Sequence, residues 1–317
     1  ESFGLNEEEA AFYALFSAIR SSSMNVMGIA GTPFYLTQEQ IVGAMKSGGG
    51  DETLSPLKGY FTYDDLATAL EEDFLDADRG STDNKKGWKV TSVSTPRGSS
   101  FEDARMTLSE VETALSKGTV IFSAIGAHVP KLACATLACT DAAALPNALN
   151  LYVTAAGKKT SAPPHTDRQD VIVVQTQGKK HWRVYTPADA TLKPQADPFA
   201  RGKGDDNLPL HQLESNLGCE LLIDTVLNPG DVLFIPAGFP HTTDTISSSN
   251  EEEEDTSVHL TFNFDSHVWD LDYLSTRRLA LRRACVKDEA LGLGPDETRY
   301  TGQVNLLPSS IRNELFR

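Results

Sequence analysis

From Asn150 to Phe264 the chain breaks into short strand candidates, each closed by a turn. Leu151–Thr154, Val171–Gln177, His181–Thr186, Glu220–Val226, Val232–Ile235 and Val258–Phe264 are rich in apolar and β-branched residues. Gly178 joins the second to the third, and Asn228-Pro229-Gly230-Asp231 turns the chain before the fifth. Many short strands with Gly and Pro turns point to a sandwich or jelly roll. The acidic run Glu251–Asp255, between two strand candidates, reads as a solvated loop.

The first hundred residues have a different texture. Glu7–Ile19 carries Ala10, Ala11, Ala14, Leu15, Ala18 and Ile19 at helical spacing. Further helices are expected over Thr37–Met45 and from Asp64 to about Asp73, with a short strand at Trp88–Val93. Gly80–Lys86 and Thr95–Ser100 read as exposed connections. Ser109 is the expected N-cap of the next helix, with Glu112 as its capping-box partner and Gly118 at its end. A strand at Thr119–Ser123 and a helix over Lys131–Cys139 follow. From Trp269 the helical pattern returns, with Leu271, Leu274, Leu279 and Leu281 among arginines. The expected divisions are 1–105, a helical and mixed region packed on the core; 106–268, the β domain; and 269–317, C-terminal helices.

Composition narrows the function classes. Apolar content is 40% and charged content 23%, ordinary for a globular chain, and no apolar stretch approaches the roughly 20 residues that span a bilayer. The formal net charge of −16 argues against bulk binding of nucleic acid and suits either solubility or attraction of a basic protein. Cys134, Cys139, Cys219 and Cys285 form no C-x-x-C pair, so neither a zinc ribbon nor a disulfide framework is expected, and a reducing intracellular compartment is. The chain begins at Glu1 and reads as an excised piece, which leaves a targeting segment upstream open.

The chemistry concentrates in "PPHTDRQDVIVVQTQGKKHWRVYTP", Pro163 to Pro187. Side chains two apart on a strand share a face, so His165 and Asp167 can both face a barrel interior. Pro163 and Pro164 hold the approach extended. A second histidine would complete a set of two imidazoles and one carboxylate with open positions, suited to Fe(II). His241 is the best placed, after the turn Pro236-Ala237-Gly238-Phe239-Pro240, and His259 is the second choice. An isolated H-x-D is weak, and a surface turn competes with a metal site. Lys180, thirteen residues after Asp167, favours the metal. A lysine aimed into a barrel is costly unless it meets an anion. The competing view makes Lys179 and Lys180 exposed hairpin cations.

Together with "PGDVLFIPAGFPHTTDT", this segment resembles a JmjC-type 2-oxoglutarate oxygenase, most closely the ribosomal-oxygenase, cupin-like branch. The likeness takes in "GTVIFSAI", "NLYVTAAG", "SVHLTFNF" and the tryptophan of "HVWDLDYL", from about Met106 to about Leu274. It implies a double-stranded β-helix with helices packed around it. His165, Asp167 and His241 match the iron ligands of that family. Lys180 matches the lysine that meets the distal carboxylate of 2-oxoglutarate. Asn150, Tyr152 and Ser257 match polar residues around that cosubstrate. Thr166 and Arg168 depart from the branch, where tyrosine and an acid are usual, and both lie near the expected substrate channel.

The resemblance thus implies an enzyme using Fe(II), 2-oxoglutarate and O₂ to hydroxylate a side chain of a ribosomal or other basic protein. Removal of a methyl group from Nε-methyl-lysine is the alternative with the same oxidant. A small molecule or a modified nucleoside is a further substrate class, and a catalytically silent cupin-fold binding protein is the contrasting class. A nuclear or cytoplasmic location is expected, with the C-terminal helices as a candidate dimer face.

Overall fold

This computed structural model describes residues 12–17, 32–47, 57–71, 88–92, 95–100, 107–143, 147–158, 161–167, 169–187, 213, 215, 218–245 and 255–264. All belong to a unit formed by residues 1–194 and 201–265; residues 195–200 and 266–317 make a second unit that lies outside the described residues, as do the expected C-terminal helices and dimer face.

A helix at residues 12–17 (α1) opens the described chain. Strand β1, Phe34–Leu36, is followed by α2, Gln38–Ser47, and α3, Tyr63–Glu71. Next come β2, Trp88–Ser92; β3, Thr95–Ser100; α4, Leu108–Lys117; β4, Thr119–Phe122; and α5, Pro130–Ala143. The remaining strands are β5, Asn147–Thr154; β6, Ala162–His165; β7, Asp170–Gln177; β8, Lys180–Tyr185; β9, Leu221–Leu227; β10, Val232–Ile235; β11, His241–Asp244; and β12, Ser257–Phe264.

Two antiparallel sheets result. The larger has the order β1-β10-β7-β12-β5-β4-β2-β3, and the smaller β6-β11-β8-β9. From β5 to β12 the chain supplies four strands to each sheet, mostly by crossing between them. That is the double-stranded β-helix, or jelly roll, that the strand pattern predicted. β1 extends one edge of its larger sheet, and β4, β2 and β3 extend the other.

In β7 every residue but the last is buried, and in β12 every residue is. The larger sheet is therefore covered on both faces, and apolar–polar alternation no longer tells inside from outside. Phe262 of β12 packs outward, with Phe16 edge-on at 4.8 Å and Phe12 at 6.3 Å between ring centroids. Its neighbours His259 and Thr261 point the other way, into the barrel. Residues 57–63 fasten this cover to the end of β7. Gly59 N–H donates to Thr176 O at 2.8 Å, Thr176 Oγ1 donates to Phe61 O at 2.6 Å, and Tyr63 N–H donates to Gln177 Oε1 at 2.8 Å. Inside the barrel, an apolar plug of Val171, Val173, Val184, Ile223, Leu227, Leu233 and Ile235 closes part of the space between the sheets.

Three expectations are corrected. The buried face of α1 is built by Phe12, Leu15 and Phe16, while Ala14 is exposed, because large rings fill the groove over Phe262 better than alanine methyls. The N-cap of α4 is Thr107, not Ser109. Its side chain accepts from Glu110 N–H, and the Glu110 carboxylate accepts from Thr107 N–H, so an overlapping T-x-x-E register outcompetes S-x-x-E. Thr95–Ser100 is no open connection; it pairs antiparallel with β2. The longer α5 and the earlier start of β5 are differences of boundary only.

Candidate metal centre

Strands β6 and β11 pair so that His165 and His241 lie directly opposite each other at one end of the smaller sheet. β6 is that sheet's edge, and Pro163 and Pro164 fall where its pairing with β11 shifts register, between Ala162 and His165. Asp167 follows two residues past His165, just beyond the strand. The turn before His241 is fastened to it: Gly238 N–H donates to Asp167 O at 2.9 Å, with Gly238 at φ +84°. Ala237 N–H donates to Asp170 Oδ1 at 2.7 Å, which anchors the same turn to β7. The three candidate side chains are thus set by two tied segments.

His241 Nε2 lies 3.6 Å from Asp167 Oδ2, and His165 Nε2 lies 4.0 Å from it. One ligand atom from each of the three falls within 4.8 Å of the others, the one such group of three or more His, Cys, Asp or Glu among the described residues. The imidazoles are held by their far nitrogens. His165 Nδ1 donates to Pro163 O at 2.7 Å, and His241 Nδ1 donates to Phe239 O at 3.0 Å. These bonds fix the tautomer and turn both Nε2 lone pairs toward Asp167, the outer-shell arrangement usual for metal-ligating histidines. Around a small octahedral divalent ion, with ligand distances of about 2.1 Å, adjacent ligand atoms lie about 3 Å apart. A metal would shorten the two imidazole–Asp167 separations by about an ångström or less, so the residues fit the ion. Two imidazoles and a carboxylate on one side suit non-haem Fe(II).

The cavity behind them is lined by Tyr152, Lys180, Trp182, Thr243, His259 and Thr261 among others. Lys180 is 2% exposed, and its Nζ donates to Thr154 Oγ1 at 3.0 Å. Burial pushes its pKa from 10.5 down to about 7, against an opposing pull from Asp244. Lys180 is therefore no exposed hairpin cation. A directed chain of hydroxyls stands behind it. Thr119 Oγ1 donates to Ser161 O at 2.9 Å and lies 2.9 Å from Thr154 Oγ1, so the Thr154 proton goes to Thr119 and its lone pair faces the ammonium. Ser161 and Thr243 hydroxyls lie 2.6 Å apart on the facing side.

Tyr152 lines the cavity and stacks on His259 at 4.7 Å and 10°; burial, then the charge of Asp167, raises its phenol pKa. His259, the second choice as a ligand, stands outside the His-Asp-His group, and burial, then Lys180, holds its pKa well below the ordinary histidine value. Asn150 stands on the Tyr152 face of β5 and hydrogen-bonds its phenol, while its Oδ1 accepts from Ala124 N–H at 2.9 Å. Ser257 Oγ accepts from Gln175 Nε2 at 2.9 Å. Thr166 is half-buried between the two ligands of its segment, and Arg168 lies outside the described residues.

Comparison with known proteins shows what this site resembles. Residues 132–269 match the family profile described as "JmjC domain". That stretch is similar to a JmjC domain. Among curated proteins, it is 30% identical over 172 residues to "Ribosomal oxygenase 1" of Danio rerio, covering 53% of this chain and 28% of that protein. It is 32% identical over 122 residues to "Ribosomal oxygenase 2" of Mus musculus, covering 38% of this chain and 22% of the relative. The "Bifunctional lysine-specific demethylase and histidyl-hydroxylase NO66" of Dictyostelium discoideum is 29% identical over 159 residues, 49% of this chain and 27% of that one. The chain thus spans about a quarter of the length of these relatives. Among solved structures, that of YcfD from Escherichia coli aligns at TM-score 0.48 and 17% identity, over 85% of this chain and 57% of that one. A structure of the same protein in complex with cobalt and 2-oxoglutarate aligns at TM-score 0.43 and 16% identity, over 86% and 56%. The likeness to ribosomal oxygenases read from the JmjC motifs is borne out by these relatives.

Proposed function

We propose that this JmjC domain is an Fe(II)- and 2-oxoglutarate-dependent oxygenase that hydroxylates a side chain of a basic protein. The observation that carries this is one cavity holding both a His-Asp-His group and a buried lysine. A metal and a dianion are the two partners those groups need, and a 2-oxo dicarboxylate provides the second while chelating the first. Bound Fe(II) and 2-oxoglutarate would supply the oxidation of a C–H bond by O₂, with succinate and CO₂ as co-products.

The chain's own residues have defined tasks. His165, Asp167 and His241 would hold the ion. Lys180 carries the positive charge for the far carboxylate, and the Thr154–Thr119 pair orients it. The plug of Val171, Val173, Val184 and their neighbours keeps water from that end. The lip beside the ion carries Thr166, so the substrate's chemistry is read where this chain differs from its resemblance. The net charge of −16 favours a basic polypeptide by long-range attraction. A nuclear or cytoplasmic setting is consistent with the sparse cysteines, and no described helix is long and apolar enough to cross a membrane.

The name of one relative includes lysine demethylation, which makes Nε-methyl-lysine the second substrate reading. Incubation with Fe(II), 2-oxoglutarate and cell extract, followed by an open peptide mass search, tests both. Hydroxylation adds an oxygen, about 16 mass units, and demethylation removes CH₂, about 14. Succinate release without any modified peptide would point to a small molecule. Neither succinate nor modified peptide would overturn the oxygenase reading in favour of a silent binding protein.

A further inference from the structure

Two buried polar atoms on residues that line the cavity find no hydrogen-bond partner among the described residues: the indole Nε1 of Trp182 and the imidazole Nδ1 of His259. Trp182 is 5% exposed and His259 1% exposed, and both line the cavity with Lys180. An unsatisfied buried donor costs about 1–3 kcal/mol, so such groups call for an acceptor from elsewhere. Trp182 lies two residues beyond Lys180 on β8, on the same inward face. His259 comes from the opposite sheet, its ring edge-on to Trp182 at 5.5 Å. The indole also lies 6.0 Å from the His241 ring, so the pair spans from the lysine toward the metal end. Indole N–H is a donor only. Next to the Lys180 cation, His259 is a neutral ring and can offer Nδ1–H.

We infer that Trp182 Nε1–H and His259 Nδ1–H are anion-positioning donors that join Lys180 in holding the carboxylate of a dicarboxylate cosubstrate. This rests on the 2-oxoglutarate reading above and adds two residues to it. A carboxylate has two oxygens and about four lone-pair sites. Lys180 does not exhaust them, and two neutral donors add directionality without adding charge. Such a site selects for a second carboxylate and gives nothing to a 2-oxo acid that lacks one.

The test uses the full chain loaded with Zn(II), which is diamagnetic and does not turn over. Binding of 2-oxoglutarate and of 2-oxobutyrate, which lacks the far carboxylate, is measured by calorimetry for the wild type, Trp182→Phe and His259→Phe. In parallel, ¹⁵N-indole spectra follow the three tryptophans, with Trp182→Phe identifying its own signal. The expected result is a 5- to 50-fold loss of 2-oxoglutarate affinity in each variant and unchanged 2-oxobutyrate affinity. The Trp182 indole proton should move downfield when 2-oxoglutarate is added. Unchanged 2-oxoglutarate affinity, or equal loss for both ligands with a still indole signal, would overturn the inference alone. Absence of any 2-oxoglutarate binding by the wild type would overturn the cosubstrate reading together with it. Should a variant fail to fold, the wild-type indole shift decides by itself, with the other variant's affinities as the second measurement.

Discussion

Replacing Lys180 by methionine should make the empty protein more stable and its ligand weaker. The ammonium is 2% exposed, and burial takes its pKa from 10.5 to about 7. At about 1.4 kcal/mol per pKa unit, that displacement corresponds to about 5 kcal/mol against the charged form. Methionine keeps most of the apolar stem and removes the charge. Thr154 Oγ1 loses a donor, worth about 1 kcal/mol, so a net gain of about 3–4 kcal/mol is expected at low pH. The sign follows from linkage. The folded-state pKa is depressed, so below pH 7 the lysine is protonated in both states and its full cost is present. Between pH 7 and 10.5 only the unfolded chain holds the proton, and the wild type catches up; above 10.5 the cost is gone. Urea unfolding of both metal-free proteins between pH 6 and 9 reads this directly. 2-Oxoglutarate at a hundred times Kd should stabilise the metal-loaded wild type by about 2.7 kcal/mol and the variant hardly at all. A variant less stable than wild type at pH 6, in the empty state, would refute the reasoning, because Lys180 would then already be neutralised by the protein.

Asp167→Ala should abolish both tight metal retention and succinate production, read by elemental analysis and by coupled assay; turnover at the wild-type rate would remove Asp167 from the site. Thr154→Val takes away the hydroxyl that accepts from Lys180 and should raise the KM for 2-oxoglutarate several-fold while costing about 1–3 kcal/mol of stability. Gly178→Ala places a Cβ 2.7 Å from Thr256 O at φ +62°, so a loss of about 2 kcal/mol or more is expected in thermal unfolding. Phe16→Ala opens a hole over Phe262 and should cost about 3–5 kcal/mol, with no direct effect on metal affinity.

The sequence made the site legible where chemistry is carried by spacing. His165 and Asp167 sit two apart, and the Pro- and Gly-rich turn before His241 announces a side chain delivered at a rim. Lys180 was placed by the length of the apolar run before it. The cavity role of His259 was not legible, because β12 is covered on both faces and polarity does not reveal which way a residue points; Trp182 shares the Lys180 face of β8 by spacing, and only its unpartnered indole nitrogen needed the structure. Asn150 and Ser257 were read from the resemblance, and the fold adds partners that the sequence does not announce: Asn150 reaches Ala124 N–H and the Tyr152 phenol, and Ser257 reaches Gln175 Nε2. At α4 two capping signatures overlap by two residues, and only the register of the whole helix chooses between them.

Pro163 and Pro164 have a consequence beyond the sheet that tolerates them. They stand at consecutive positions of β6, beside His165, on the outermost strand of the smaller sheet. Successive main-chain groups of a strand face opposite sides, so one of the two missing donors falls on the open margin, which makes it a poor edge for an added strand. A polypeptide that reaches the ion along this side finds a weakened edge for backbone augmentation, which is indifferent to sequence. Its recognition falls to side chains, and a protein built this way discriminates between targets by what they display.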